Sequence, residues 1–244
     1  MSGLLFFLVA FLSEVVGTIA GFGSSVFFVP LAGFFLPFHE VLALTSILHV
    51  FSNAAKLFLF GRHVRLRLLG LLGVPSIVCV VMGALLSARL QFKFTELILG
   101  LFLIVFSLFF LFRPATRLSQ SAANAITAGG VAGFLAGLIG TGGAVRGLAL
   151  AAFDLEKGTF VATSAAIDSG VDFSRMVIYL SNGFLGRDFY WYIPGLLVVA
   201  FAGSYAGKVA LTRVEQQRFR TIVLLLVFII GAITFGRFFQ SFGL

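Results

Sequence analysis

Residues 21–25 read Gly21-Phe22-Gly23-Ser24-Ser25, and they interrupt an apolar run that extends from residue 4 to residue 36. A membrane-spanning helix needs about 20 apolar residues, so this run is too long for one span and short for two. Glycines and small hydroxyl residues in its middle break a helix. Broken backbone inside a bilayer persists only where protein or a water-filled cavity satisfies its polar groups. Residues 122–152 repeat the pattern, with a break that reads Gly140-Thr141-Gly142-Gly143-Ala144. A glycine-rich face for close helix packing is the bland alternative for either stretch. Two breaks at matching places favour two broken segments, each expected to be a pair of half-helices meeting at an unwound turn.

The rest of the composition demands a bilayer. Of 244 residues, 60% are hydrophobic and 11% charged, against roughly 25% charged in soluble domains. Mean hydropathy is +1.12. A soluble chain of this length has too large a surface for its volume to hide so much apolar area. A secreted disulfide scaffold, a disordered chain and a soluble kinase, nuclease or hydrolase are excluded. The net charge of +8 does not imply nucleic acid, because the basic residues lie between apolar blocks and read as topology signals. Cys79 is the single cysteine, so neither a disulfide nor a metal site is expected, and no cofactor is. The predicted fold is an all-α polytopic membrane protein. Eight hydrophobic segments lie near 4–36, 39–60, 68–88, 94–112, 122–152, 159–182, 189–210 and 219–239. Met1-Ser2-Gly3 carries no basic residue and Glu14 interrupts the first run, so that run reads as retained rather than as a signal peptide.

The two breaks are offset by 119 residues. At the same offset Pro75 falls on Pro194, Arg89 on Lys208 and Glu96 on Glu215. The chain therefore reads as two repeats, 1–118 and 119–244, with four segments each. Internal repeats of this kind mark transporter folds, whose sites lie at the repeat interface near the midplane. If the first segment of each repeat is a re-entrant hairpin, each repeat crosses three times. The loop Arg62-His63-Val64-Arg65-Leu66-Arg67, the loop with Arg113 and Arg117, and the stretch from Lys208 to Arg220 then share one side. The positive-inside rule favours that arrangement and puts those loops in the cytoplasm. An odd number of crossings makes the repeats inverted; broken helices that do cross would make them parallel.

The second segment of each repeat carries a polar stripe. It is Thr45, His49, Asn53 and Lys56 in the first, and Ser164, Asp168, Asp172 and Arg175 in the second. Both follow the spacing i, i+4, i+8, i+11, which places all four residues on one helical face. The stripes coincide at the 119 offset. A charge at the bilayer centre costs about 2.5–3.5 kcal/mol on insertion scales, so it needs a partner or a purpose. Arg175 can pair with Asp172 three residues earlier, which alone would be a structural ion pair. Asp168 is then left over as a carboxyl able to carry a proton. His49 is the second proton-coupling candidate; the bland reading makes it a hydrogen-bonded packing residue. Lys56 lies close enough to its helix end to snorkel.

The breaks suit an anion. Half-helix N-termini present free N–H groups and a positive dipole end. Gly21, Gly23, Ser24 and Ser25 form the first candidate site, and Gly140, Thr141, Gly142 and Gly143 the second. Arg146 adds a planar donor fork, or else anchors to a carbonyl or to Glu14. With Thr45, Asn53, Lys56, Ser164, Asp172 and Arg175, these residues are the candidate binding set for a small oxyanion. They do not suit a K⁺-type filter, and no Cys/His cluster for a transition metal is present.

The glycine-rich break followed by Pro30, Thr45-Ser46 opening the second segment, the basic loop, and the recurrence at Gly140 to Ala144 and Thr163-Ser164 resemble the sulfite exporter TauE/SafE family. The resemblance covers most of both halves. Ser24 and Ser25 stand where the family commonly has glycines, and Ala149 stands at the place equivalent to Pro30. The resemblance implies a multi-pass carrier of sulfite, organosulfonates or related anions in the plasma (inner) membrane of a prokaryote, not an enzyme. The leading expectation is a secondary carrier working by alternating access, with Asp168 or His49 coupling protons. An anion channel and a membrane subunit of a redox or assembly complex are the alternatives. Against the last, the histidines His39, His49 and His63 do not pair across spans as haem ligands would. The expected partners are a small-anion substrate and the lipid bilayer, without nucleic acid; a homodimer is left open.

Overall fold

The computed structural model describes residues 2–20, 23–61, 64–113, 119–211 and 216–240; Gly21, Phe22, Arg62, His63, Arg117 and Glu215 of the sequence reading lie outside them. Among the described residues there are helices and no strand. The long elements are α1 (Ser2–Ala20), α3 (Phe38–Phe60), α4 (Leu66–Ser87), α5 (Phe92–Phe112), α6 (Ala122–Ile139), α8 (Lys157–Ser181), α9 (Tyr192–Leu211) and α10 (Gln216–Gln240). Two short helices follow the breaks, α2 (Ser25–Ala32) and α7 (Gly143–Ala151).

Local sequence explains several boundaries. Ser121 caps α6 by accepting the Asn124 N–H at 3.1 Å. In α4 the stretch Leu69–Gly73 widens into a π-helical turn just before Pro75. Proline has no N–H for the carbonyl four residues back and its ring crowds that carbonyl, so the wider turn relieves both problems.

Seven described helices are long and apolar enough to cross a membrane. The sixth segment expected from the sequence, 159–182, is found as α8, a helix of 25 residues that is not among those seven. Its polar stripe turns inward, with Asp172 and Arg175 3% and 1% exposed, and α8 packs along α3 through the middle of the molecule. The expectation of paired half-helices also needs correction. α1 has 19 residues and α6 has 18, so each extends about 27–29 Å before its break. Only α2, with 8 residues, and α7, with 9, are half-length.

α1 packs along α9, α6 along α4, and α5 along α10. The α4–α6 seam is built from glycines. A Cβ on Gly133 would lie 2.1 Å from the Ser76 carbonyl oxygen, and Gly129 and Gly137 meet Leu72 and Val80 as closely. Small residues let membrane helices approach to backbone contact, where van der Waals packing replaces the missing hydrophobic drive.

Contacts place the element ends on two faces. At the first, Trp191 lies against Gly3 and Phe7, His39 stacks on Phe92, Gly186 N–H donates to Glu40, and Arg237 donates to the Gly33 carbonyl. The start of α1 and the end of α2 thus share this face. At the second, Arg65 N–H donates to Thr163, Lys208 donates to the Leu59 carbonyl, and Arg65 shares a cavity wall with Ala122 and Phe153. The start of α6 and the end of α7 share that one.

Candidate functional site

Both breaks turn through a left-handed glycine, Gly23 at φ +82° and Gly140 at φ +80°. A Cβ is disfavoured in that region, so glycine serves it at least strain. The turns bring the N-termini of α2 and α7 together. Ser25 Oγ donates to Thr141 Oγ1 at 3.2 Å, and the backbones pass closely at Gly23 and Gly143. The first N–H groups of a helix have no carbonyl within it to bond, and here two such ends border one small cavity of about 30 Å³.

The cavity collects residues of both polar stripes. From the first half come Gly23, Ser24, Ser25, His49, Asn53 and Lys56. From the second come Gly140, Gly142, Gly143, Arg146, Asp168, Asp172 and Arg175. A neighbouring space shares Gly23, Asn53, Lys56 and Asp168 with it and is bounded by Thr18, Phe160 and Ser164. Thr45 lines neither; its hydroxyl returns to the Val41 carbonyl of its own helix at 2.6 Å. Thr141 reaches the site through Ser25 alone.

Every charge here has a partner. Lys56 Nζ lies 2.6 Å from Glu14 Oε1, so it turns inward instead of snorkelling. Arg146 pairs with Asp168, with Ser164 between them. Asp168 is therefore not the leftover carboxylate of the sequence reading, and Arg146 does not anchor on Glu14. Asp172 Oδ1 lies 2.8 Å from Arg175 Nε, a close ion pair without hydrogen-bond alignment, and its Oδ2 accepts from Asn53 at 2.7 Å. Three cations face three carboxylates, so the cluster is formally neutral with His49 uncharged.

Arg175 also has a structural task. Its Nη1 donates to the carbonyls of Ala136 and Gly140 at 3.2 and 2.8 Å, and Tyr179 Oη donates to the Gly137 carbonyl at 2.5 Å. The last carbonyls of a helix lack partners within it, and these two side chains cap α6 where it breaks. Lys56, at the matching place in α3, takes a carboxylate instead.

Sequence reasoning missed Glu14 as a site residue. It is fully buried and accepts from Ser24, Ser52 and Lys56, joining α1, α2 and α3. The available signal was a lone carboxylate in an apolar helix, which by default marks function. Ser52 and Tyr179 gave no signal of their own, being ordinary polar residues on helices.

The chain matches the family described as "Sulfite exporter TauE/SafE" over residues 6–234. A search of curated proteins finds no match. The match spans nearly the whole chain, which therefore belongs to the sulfite exporter family, a family of membrane transporters of sulfur-containing anions.

Proposed function

We propose that this family member is a secondary carrier of sulfite or a small organosulfonate, working by alternating access around the cavity between α2 and α7. The observation that carries the reading is the meeting of two half-helix N-termini with Lys56, Arg146 and Arg175 at one cavity. Helix N-termini and guanidinium forks both favour oxyanions. The candidate set Gly23, Ser24, Ser25, Asn53, Lys56, Gly140, Gly142, Gly143, Arg146, Ser164, Asp172 and Arg175 would bind it. His49 and Asp168 line the same cavity and are the candidates for proton coupling.

The repeat reading gains support from the packing. With an offset of 119 residues, α1 corresponds to α6, α2 to α7, α3 to α8 and α4 to α9. The α1–α9 contact then has its counterpart in α6–α4, while α3–α8 and α5–α10 map onto themselves. α2 returns to the face where α1 starts and α7 to the face where α6 starts, which supports three crossings per repeat and hence inverted repeats. Two structurally similar halves around one site can exchange conformations, the physical basis of alternating access.

The test is counterflow. Proteoliposomes loaded with unlabelled sulfite are diluted into labelled sulfite. Transient accumulation of label above equilibrium is expected. Uptake that only approaches equilibrium, with a conductance that does not saturate, would replace the carrier by a channel.

A further inference from the structure

A chain of hydrogen bonds crosses the cavity, and donor chemistry fixes its direction. Glu14 accepts from Ser24 at Oε2, 2.7 Å away, and from Lys56 and Ser52 at Oε1. Ser24 has one hydroxyl proton, and Glu14 takes it. His49 Nε2 lies 2.8 Å from the same Ser24 Oγ, so Nε2 must carry a proton and donate. Across the ring, Arg175 Nη2 stands 3.0 Å from His49 Nδ1. A guanidinium only donates, so Nδ1 accepts. His49 is therefore assigned as a neutral imidazole protonated on Nε2, and the chain runs from Arg175 through His49 and Ser24 to Glu14.

We infer that Glu14 is the carboxylate that couples proton uptake to anion binding, with His49 and Ser24 as its relay and Arg175 as the group it releases. The inference rests on the anion-carrier reading above and places the proton on a residue other than Asp168. One proton enters from cavity water at His49 Nδ1. The Nε2 proton passes to Ser24 Oγ, and the Ser24 hydroxyl proton passes to Glu14 Oε2. The balance is one N–H bond formed at Nδ1, one broken at Nε2, one O–H exchanged at Ser24 and one O–H gained at Glu14. Nδ1–H then faces Arg175 donor to donor, and that contact opens. Asp172 Oδ2, 3.6 Å from Nδ1, is the acceptor on that side. Arg175 Nη2 keeps an unbonded N–H at the cavity, and Lys56 loses its ionised partner. The formally neutral cluster gains one positive charge, which a singly charged oxyanion offsets.

Among the groups facing Glu14, Lys56, Ser24 and Ser52 all donate to it and hold it ionised at rest, so it takes the proton only as an anion draws Lys56 away. α3 offers His49, Ser52 and Lys56, α2 offers Ser24, and α9 offers Ser204 at 3.4 Å. The cations Lys208 of α9 and Arg237 of α10 are turned away, to the carbonyls of Leu59 and Gly33.

The probe is labelled methanesulfonate, whose charge stays fixed between about pH 6 and pH 8, so that pH acts on the protein alone. Equilibrium binding to the purified full chain should tighten on acidification by on the order of tenfold, a usual size for coupling between sites. Glu14→Gln presents an amide donor to Ser24 and fixes the protonated arrangement. It should bind at alkaline pH as tightly as the wild type does at acidic pH. Ser24→Ala removes no charge, but it removes the hydroxyl through which Glu14 protonation sets the His49 tautomer, so the equilibrium link to Arg175 is broken as well as the proton path. Its affinity, whatever its size, should no longer change with pH. A wild-type pH response surviving in either folded variant overturns the inference, as does a wild type without one. If Glu14→Gln does not fold, Ser24→Ala decides alone. If only Asp168→Asn removes the response, the proton belongs to Asp168 and the carrier reading stands. A folded wild type that binds neither methanesulfonate nor sulfite at any pH overturns the carrier reading itself.

Discussion

Arg175 is committed on every side before any ligand arrives. Its guanidinium holds two carbonyls at the end of α6, the ring of His49 and the carboxylate of Asp172, and the residue is 1% exposed. Removing one partner of a buried ion pair leaves the other uncompensated, at a cost of roughly 3–5 kcal/mol. Arg175→Ala should therefore unfold at a markedly lower temperature in detergent, besides losing transport. Arg175→Lys should recover part of the stability through its charge, but not the two carbonyl bonds. An unchanged unfolding temperature for Arg175→Ala would make the residue a ligand and nothing more. The i, i+4, i+8, i+11 stripes placed His49, Asn53, Asp168 and Arg175 on the right faces, because helical periodicity is local information. The partners were not legible. Lys56 chooses Glu14, 42 residues away, and Arg146 chooses Asp168, and such choices depend on how separate helices dock. Glu14 was passed over because a single carboxylate has no spacing to read.

At the scale of elements, helix periodicity and hydropathy located every long helix, while the lengths around the breaks followed from packing. α1 and α6 continue to near full length because each lies in a groove that takes its whole side. α6 sets Gly129, Gly133 and Gly137, one per turn, against α4, and α9 sets Gly203 and Gly207 against Glu14 and Thr18 of α1. The sequence reading set breaking and packing as alternatives for a Gly-rich stretch, whereas residues 122–152 do both. The seam can be tested within one helix. A Cβ at Gly133 would stand 2.1 Å from the Ser76 carbonyl oxygen, backbone that cannot swing aside, whereas one at Gly130 would meet only Cys79 Sγ at 3.4 Å. Overpacking a fixed contact costs about 1–3 kcal/mol. Gly133→Ala should lower the unfolding temperature and the yield of monodisperse protein, and Gly130→Ala should leave both near wild type. Equal behaviour of the two variants would mean that the α4–α6 seam is looser than described.

At the scale of the whole molecule, the question is how the two halves sit in the bilayer. By sequence, the loops on the side of Arg65, Arg67, Arg113, Lys157 and Lys208 hold 10 Lys and Arg, against the 4 on the other side, Arg89, Lys93, Arg187 and Arg237. Lys and Arg near span ends set orientation, so the proposed topology expects the first of these sides in the cytoplasm. The turn after α2 and the turn after α7 separate the two topologies cleanly, because they are equivalent by the 119 offset. Three crossings per repeat put Phe34 outside and Glu156 inside; four would put both on one side. In a Cys79→Ser background, a membrane-impermeant thiol reagent should label Phe34→Cys in intact cells. It should reach Glu156→Cys only in inverted vesicles. Labelling of both from the same side would make the repeats parallel, and α2 and α7 would then enter the cavity from one face. Their N-termini could still meet there, but the two halves could no longer exchange roles by a rotation in the membrane plane. The same measurement therefore decides the orientation and whether symmetry exchange can open the site to each side in turn.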